Sequence, residues 1–217
     1  MRTGLIDLVV NKAKEAGVVE DDQTEVLHYG LIAGTHLFSG ILLVMAVGLL
    51  LGTWRSMLLV CCIAVLFRHV SGGAHLNSPY KCLLYSVSAF TMAIWLGERL
   101  AEKIVTLSQG SQMFLALSGV FLQLGFGLLV VDLYVPVDHV NRPITNVNER
   151  NRFRQLSFLG VIAVSILFLC LVLFKSSWCI SLAIFIVFFL HLISLTPVGL
   201  AWFRFISGLS FKEGADD

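Results

Sequence analysis

The chain alternates long apolar stretches with short polar breaks, a pattern that predicts a bundle of membrane helices. Apolar residues dominate six stretches, at about 26–52, 56–67, 82–97, 112–135, 156–174 and 177–203. Because a helix needs roughly 20 apolar residues to cross a bilayer, the second and third stretches span only with the help of flanking residues. We therefore predict an all-α, polytopic membrane protein with about six transmembrane helices.

The first 25 residues follow a different pattern. Apolar side chains recur there at helical spacing, at Leu5, Ile6, Val9, Ala13 and Ala16. This spacing predicts an amphipathic helix on the membrane surface, and a short solvated segment is the alternative. The predicted single domain, 1–217, thus comprises this helix (1–25), a helical bundle (26–203) and a cytoplasmic tail (204–217).

The composition indicates a membrane protein, and the distribution of charged residues indicates its orientation. Hydrophobic residues make up 57% of the chain and charged residues 13%, too apolar for an ordinary soluble domain. The net charge of +1 argues against a nucleic-acid partner. With the N-terminus in the cytoplasm, eleven of the fifteen Lys and Arg residues fall on the inner side. This bias predicts a multi-pass protein of the cytoplasmic membrane, with the break after the second stretch facing the cytoplasm.

That break carries candidate catalytic chemistry. It contains His75 and Cys82 together with a Gly pair and a Pro. Only the thiolate form of Cys is a strong nucleophile, and imidazole is its usual proton acceptor. Lipid satisfies no backbone hydrogen bonds, so an irregular polar segment between membrane helices indicates a functional site. We interpret Cys82 as a nucleophile and His75 as its base.

Glycine and basic residues beside this pair have candidate supporting roles. Gly72 and Gly73 permit a sharp turn with positive φ, and their N–H groups can bind the oxyanion of a tetrahedral intermediate. Arg68 supplies a positive charge that would stabilise a thiolate or hold a carboxylate. No third catalytic residue stands out among the nearby polar side chains, which are Asn77, Ser78 and Ser86.

Other reactive side chains have structural interpretations. Four cysteines lie in apolar stretches, where a free Cys usually behaves as a small hydrophobe: Cys61, Cys62, Cys170 and Cys179. His36 and His191 lie inside predicted spans, and we expect each to be neutral and hydrogen-bonded to a neighbouring helix. A metal site is disfavoured, because the short paired spacing of zinc ligands is lacking among His69, His75, Cys82 and His139.

The chain resembles the accessory gene regulator B (AgrB) family of bacterial membrane cysteine peptidases, which act in quorum sensing. The family's signature is matched by Arg68-x4-Gly73-x-His75-x6-Cys82-x3-Ser86. Residues 136–144, PVDHVNRPI, resemble the family's Pro-Ala-Asp…Lys-Pro-Ile loop, with Val137 in place of Ala and Arg142 in place of Lys. The resemblance covers most of the chain.

The resemblance implies a reaction and a set of partners. His75 and Cys82 would be catalytic, and the supporting residues would be Arg68, Gly72, Gly73 and Ser86. The family cleaves the C-terminal part of an AgrD-like pro-peptide and yields a cyclic thiolactone or lactone. A Cys82 thioester would be the intermediate, and exchange onto a peptide thiol would close the ring. The resemblance also implies a homodimer, and no cofactor is expected.

A basic segment follows the fourth apolar stretch and has two compatible interpretations. It contains Arg142, Arg150, Arg152 and Arg154. Such residues hold a loop on the cytoplasmic side. They would also bind an acidic tail of the pro-peptide by charge complementarity.

Two other functions use the same residues or the same architecture. A non-enzymatic peptide transporter also builds binding sites from broken helices, but it predicts an inverted repeat, and the sequence contains no evident repeat. A membrane peptidase that only hydrolyses its peptide would share every candidate residue. The mass of the product distinguishes it from a cyclising enzyme.

Overall fold

The computed structural model describes residues 4–17, 19, 23–73, 79–137, 146–173 and 178–208. These residues form eight helices and no β-strand, which confirms the predicted all-α fold. The helices are α1 (Gly4–Glu15), α2 (Thr24–Leu50), α3 (Trp54–Ser71), α4 (Pro79–Val105), α5 (Gln109–Tyr134), α6 (Val147–Leu173), α7 (Trp178–Leu195) and α8 (Pro197–Gly208).

Five of the described helices are long and apolar enough to cross a membrane, namely α2, α3, α5, α6 and α7. The more polar α4 has 27 residues and lies along α7 in the opposite direction. Near its end, a Cβ on Gly97 would lie 2.8 Å from the carbonyl oxygen of Cys179, in the first turn of α7. Helix α4 is not among the five helices that meet this criterion, so the described residues show five of the about six predicted spans.

The core of the bundle lies between α3, α4, α5, α6 and α7. Met57, Val131, Val161, Ile184 and Leu192 come from four of these helices, and each is at most 1% exposed. Large apolar side chains also cover the outside of the bundle, as expected for a surface that faces lipid. Association within lipid depends on close packing of helices, which small residues permit.

The two ends of the bundle differ. At one end, which we call the junction end, residues 68–73, 134–137 and 191–195 come together, and α4, which runs antiparallel to α7, begins on the same side. Val137 N–H donates to the Ser71 carbonyl over 3.1 Å, and His191 Nε2 lies 3.0 Å from Ser71 Oγ. At the opposite end lie the α2/α3 turn, the α4/α5 turn and the start of α7. The α3/α4 and α5/α6 connections therefore leave the bundle on the same side.

Several helix boundaries in the structure differ from those that the hydropathy pattern predicts. Helix α1 ends at Glu15, and Val10, which the predicted apolar face omits, is buried. Helix α6 begins at Val147, so residues 150–154 lie on a helix and not in a loop. The last apolar stretch contains two helices, since α7 ends at Leu195 and α8 begins at Pro197, which has no N–H to continue a helix. The predicted boundary between bundle and tail, at 203/204, falls inside α8.

Candidate active site

Cys82 lies in the first turn of α4, which begins at Pro79. Its side chain is half-buried and belongs to an apolar cluster centred on Phe203 of α8, with Tyr85, Leu200 and Ile206. The first turn of a helix carries unpaired N–H groups and the positive end of the helix dipole. The candidate nucleophile therefore lies at the N-terminal end of α4.

Ser86 lies one helical turn after Cys82. Its hydroxyl donates to the Cys82 carbonyl oxygen over 2.9 Å, a common arrangement for a helical serine. The one proton of the Ser86 hydroxyl is therefore donated within α4. Ser86 is close to the candidate nucleophile, but it would have to break this bond before it donated to an oxyanion.

The Gly72–Gly73 pair makes the sharp turn that the sequence predicts. Gly72 has φ +74° and ψ −153°, and Gly73 has φ +152°, which side chains with a Cβ rarely adopt. Gly72 also forms an isolated β-bridge with Val137. A Cβ on Gly72 would lie 2.5 Å from the Val137 carbonyl oxygen. The two segments that resemble the AgrB family therefore meet at this glycine.

Gly73 lies between two side chains from different helices. A Cβ on Gly73 would lie 3.5 Å from His191 Cε1 and 4.0 Å from Arg68 Cζ. Arg68 belongs to the last turn of α3, and its guanidinium therefore lies beside the diglycine turn. The structure thus brings Arg68, Gly72 and Gly73 together, as a shared supporting role requires.

His191 is a member of this cluster that the sequence does not assign to the site. Its ring contacts the Phe67 ring edge to face, with centroids 5.3 Å apart, and its Nε2 meets the Ser71 hydroxyl. The expected hydrogen bond to a neighbouring helix is confirmed, since Ser71 belongs to α3. An ionisable residue inside an apolar span was the available signal, but nothing in the sequence identifies its partner.

Several predicted site residues lie outside the described part of the chain. His75 falls within 74–78, and His139 and Arg142 fall within 138–145. The described residues that flank the first of these gaps are Gly73 and Pro79. Within the described residues, no three His, Cys, Asp or Glu side chains lie close enough together to hold a metal ion.

The described arginines of the basic segment have different surroundings. Arg154 forms an ion pair with Asp132 at the end of α5, and its guanidinium lies 5.9 Å from the centre of the Phe158 ring. Arg150 and Arg154 line a cavity of about 280 Å³ between the end of α5 and the start of α6, which Pro136 also lines. Arg152 is exposed and is not among the residues that line it.

Comparisons with known proteins identify the family of the chain. The model of the family "Accessory gene regulator B" matches residues 6–195. An AgrB-like protein of Halalkalibacterium halodurans is 25% identical over 206 residues, which cover 95% of this chain and 92% of the relative. An AgrB-like protein of Clostridium perfringens is 24% identical over 155 residues, covering 71% and 70%. No solved structure matches significantly. The chain therefore belongs to the accessory gene regulator B family, a component of the agr quorum-sensing system.

Proposed function

We propose that this protein is a membrane cysteine endopeptidase that cleaves an AgrD-like pro-peptide and cyclises the N-terminal product. The observation that carries the proposal is the place of Cys82, in the first turn of α4 beside the junction end of the bundle. A half-buried thiol in a first helical turn, at the end of the bundle where Arg68 also lies, suits a nucleophile better than a thiol inside an apolar span.

In the first step, the Cys82 thiolate attacks a peptide carbonyl carbon. The tetrahedral oxyanion would be bound by the Gly73 N–H of the diglycine turn, because the Gly72 N–H already donates to the Arg68 carbonyl oxygen over 3.0 Å. The C–N bond then breaks, and the leaving amine takes the proton that His75 accepted from Cys82. The products are a thioester on Cys82 and the released C-terminal fragment.

In the second step, a Cys or Ser side chain of the bound peptide attacks that thioester. His75 takes the proton of the attacking group, the new thiolactone or lactone bond forms, and Cys82 leaves as a thiolate. Exchange between two thioesters is nearly isoenergetic, so the energy of the acyl bond need not be lost to hydrolysis before a thiolactone ring closes. Water is not consumed, and an apolar cluster such as that of Cys82 and Phe203 would limit its access.

The basic segment supplies a binding site for an acidic part of the pro-peptide. Arg150 lines the cavity beside Pro136, and the next residue, Val137, pairs with Gly72. A carboxylate bound there would lie on the same end of the bundle as Cys82. Arg152 and Arg142 would add attraction at longer range.

The same end of the bundle faces the cytoplasm in this proposal. Arg68, Lys81, Arg150, Arg152 and Arg154 all lie on helical segments next to it. The positive-inside bias then orients the whole bundle. The homodimer that the family resemblance implies stays a prediction.

Mass spectrometry of the intact protein tests the proposal. The probe is the synthetic product of a short open reading frame beside its gene, incubated with the protein in liposomes. We expect a peptide adduct on Cys82 in the unmodified chain and none in Cys82→Ala, with slower adduct formation in His75→Ala. Turnover that survives Cys82→Ala would contradict the proposal, and transport of an uncleaved peptide would favour an exporter.

A further inference from the structure

Helix α8 packs one of its faces against Cys82. Phe203 is 6% exposed, and the side chains that pack against it are Cys82 and Tyr85 of α4 and Leu200 and Ile206 of α8. The Tyr85 and Phe203 rings meet edge to face, with centroids 5.0 Å apart. Because Tyr85 lies three residues after Cys82, both side chains are on the same side of α4. Phe203 therefore covers the part of α4 that carries the candidate nucleophile.

The opposite face of α8 is also apolar. Val198, Trp202 and Phe205 recur there at helical spacing, and each is more than half exposed. This face continues the apolar surface on the outside of the bundle, which suits contact with lipid. Arg204 is exposed as well, and α8 has only 12 residues, so it fits a helix that lies at the membrane interface and does not cross the bilayer.

Interactions at the start of α8 fix its direction. The Gly199 N–H donates to Thr196 Oγ1 over 3.3 Å, and the Leu200 N–H donates to the Thr196 carbonyl oxygen over 2.9 Å, as in a capped first turn. A Cβ on Gly199 would collide with the Ile193 carbonyl oxygen, so the start of α8 lies closely against the last turn of α7. Phe203 follows Gly199 by one helical turn. The close approach at Gly199 therefore determines where the Phe203 ring lies.

The proposed thioester on Cys82 can react in two ways. If a side chain of the peptide attacks the acyl carbon, the C–S bond to Cys82 breaks and a ring forms. If water attacks, the same bond breaks, the acyl group becomes a linear carboxylic acid, and one hydrogen of the water restores the Cys82 thiol. Since both reactions consume the same thioester, the access of water to it decides how much linear product accompanies the ring.

We propose that α8 is an apolar cover of Cys82 and that Phe203 sets the ratio of cyclic to linear product by keeping water from the thioester. The inference rests on the proposed function and adds a specificity-determining residue to it. Phe203 transfers no proton and acts through its contact with the Cys82 side chain. Its effect is on the fate of the acyl group, whereas cleavage of the pro-peptide depends on Cys82 itself.

Alkylation of Cys82 by iodoacetate in detergent, followed by mass spectrometry, measures the cover without a peptide. The charge of this reagent keeps it in water, so its rate reports access from water. In Phe203→Ala, we expect Cys82 to react about fivefold faster or more, because exposure governs the reactivity of a thiol. Phe205→Ala is the matched control: Phe205 is on the outer face of the same helix and is 59% exposed, so the rate should not change.

Two further variants separate the cover from general damage. Gly199→Ala keeps the Phe203 ring but displaces α8, and it should speed the reaction of Cys82 as Phe203→Ala does. Phe203→Leu keeps an apolar side chain over the thiol and should react nearly as slowly as the unmodified chain. Cys61 is 5% exposed and should stay unreacted in every folded variant. Either Phe203→Ala or Gly199→Ala tests the cover alone, provided that Cys61 remains protected.

The ratio of products completes the test. The probe is the synthetic product of a short open reading frame beside the gene, incubated with the protein in liposomes. Phe203→Ala should raise the ratio of linear to cyclic product about threefold or more, and Phe205→Ala should leave it unchanged. An unchanged ratio or an unchanged alkylation rate in Phe203→Ala, or equal effects of the two variants, would overturn this inference alone. Products that persist in Cys82→Ala would instead refute the proposed function, and the role of Phe203 with it.

Discussion

The two ends of the bundle each contain a glycine with a similar φ, and the comparison shows how the junction end differs. Gly52 has φ +70° in the turn between α2 and α3, and a Cβ built on it meets nothing within 4 Å. Gly72 has φ +74° at the end of α3, and a Cβ there would lie 2.5 Å from the Val137 carbonyl oxygen. Gly52 therefore contributes only to its own turn, whereas Gly72 also contacts Val137, which is distant in sequence.

Cysteines show the same contrast. Cys82 and Cys179 both lie in the first turn of a helix, α4 and α7 respectively, and both are half-buried. Cys82 lies beside the polar junction end, whereas Cys179 lies at the opposite end next to Gly97. The two cysteines share the first-turn position, so the end of the bundle at which each lies separates the proposed nucleophile from Cys179.

The largest effect is expected from the two cysteines. Cys82→Ala should abolish turnover of the pro-peptide, because no other group would form the thioester. Cys179→Ala should keep turnover within about twofold, since it removes a small side chain far from the site. Initial rates in liposomes measure both. Equal losses in the two variants would show that Cys82 acts through stability and not through chemistry.

Alanine at the two glycines should give the next largest difference. Gly72→Ala introduces a clash and a disfavoured conformation at the diglycine turn, and we expect turnover to fall about 100-fold. Gly52→Ala should cost about 1–2 kcal/mol of stability through its positive φ and leave the turnover rate unchanged. Turnover and thermal unfolding in detergent separate the outcomes, and the comparison fails if Gly52→Ala loses as much turnover as Gly72→Ala.

Charge reversal at the two ends of the bundle should affect binding of the pro-peptide differently. Arg150→Glu with Arg152→Glu should raise KM for the pro-peptide about tenfold, with a smaller change in kcat, because an acidic segment would then be repelled. Arg99→Glu with Lys103→Glu makes the same change in net charge at the opposite end and should leave KM unchanged. If the two pairs shift KM alike, the basic segment has only a topological role.

The smallest effect is expected from two partly exposed ion pairs. Asp132 pairs with Arg154 at the junction end, and Arg99 lies 3.5 Å from Glu102 at the opposite end. Exposed pairs contribute little, so Asp132→Asn should destabilise the protein by about 0.5–1 kcal/mol and Glu102→Gln by about 0.3 kcal/mol or less. Unfolding in increasing denaturant measures both, and a larger loss in Glu102→Gln would reverse this order.

Much of the fold and part of the site follow from local sequence signals. Long apolar stretches predict the helices, and the Gly pair predicts the positive φ values at Gly72 and Gly73. Each prediction depends only on neighbouring residues. Such signals need no knowledge of how the helices pack.

The remaining features depend on tertiary structure or on signals other than hydropathy. The contact of Gly72 with Val137, and of Ser71 with His191, joins segments far apart in sequence, so no local pattern encodes it. Hydropathy reports transfer to lipid and not helix formation, which is why it misses the polar start of α6. Pro197 was a local signal for the break before α8, but the continuous apolar stretch obscured it.

The mass of the peptide product tests the central claim most directly. The probe peptide is incubated with the protein in liposomes, and the N-terminal product is compared with the synthetic linear peptide that ends at the same residue. Cyclisation through a Cys82 thioester predicts a product lighter by one water, absent from the Cys82→Ala variant. A product of the same mass as the linear peptide would contradict acyl transfer to an internal side chain and indicate hydrolysis.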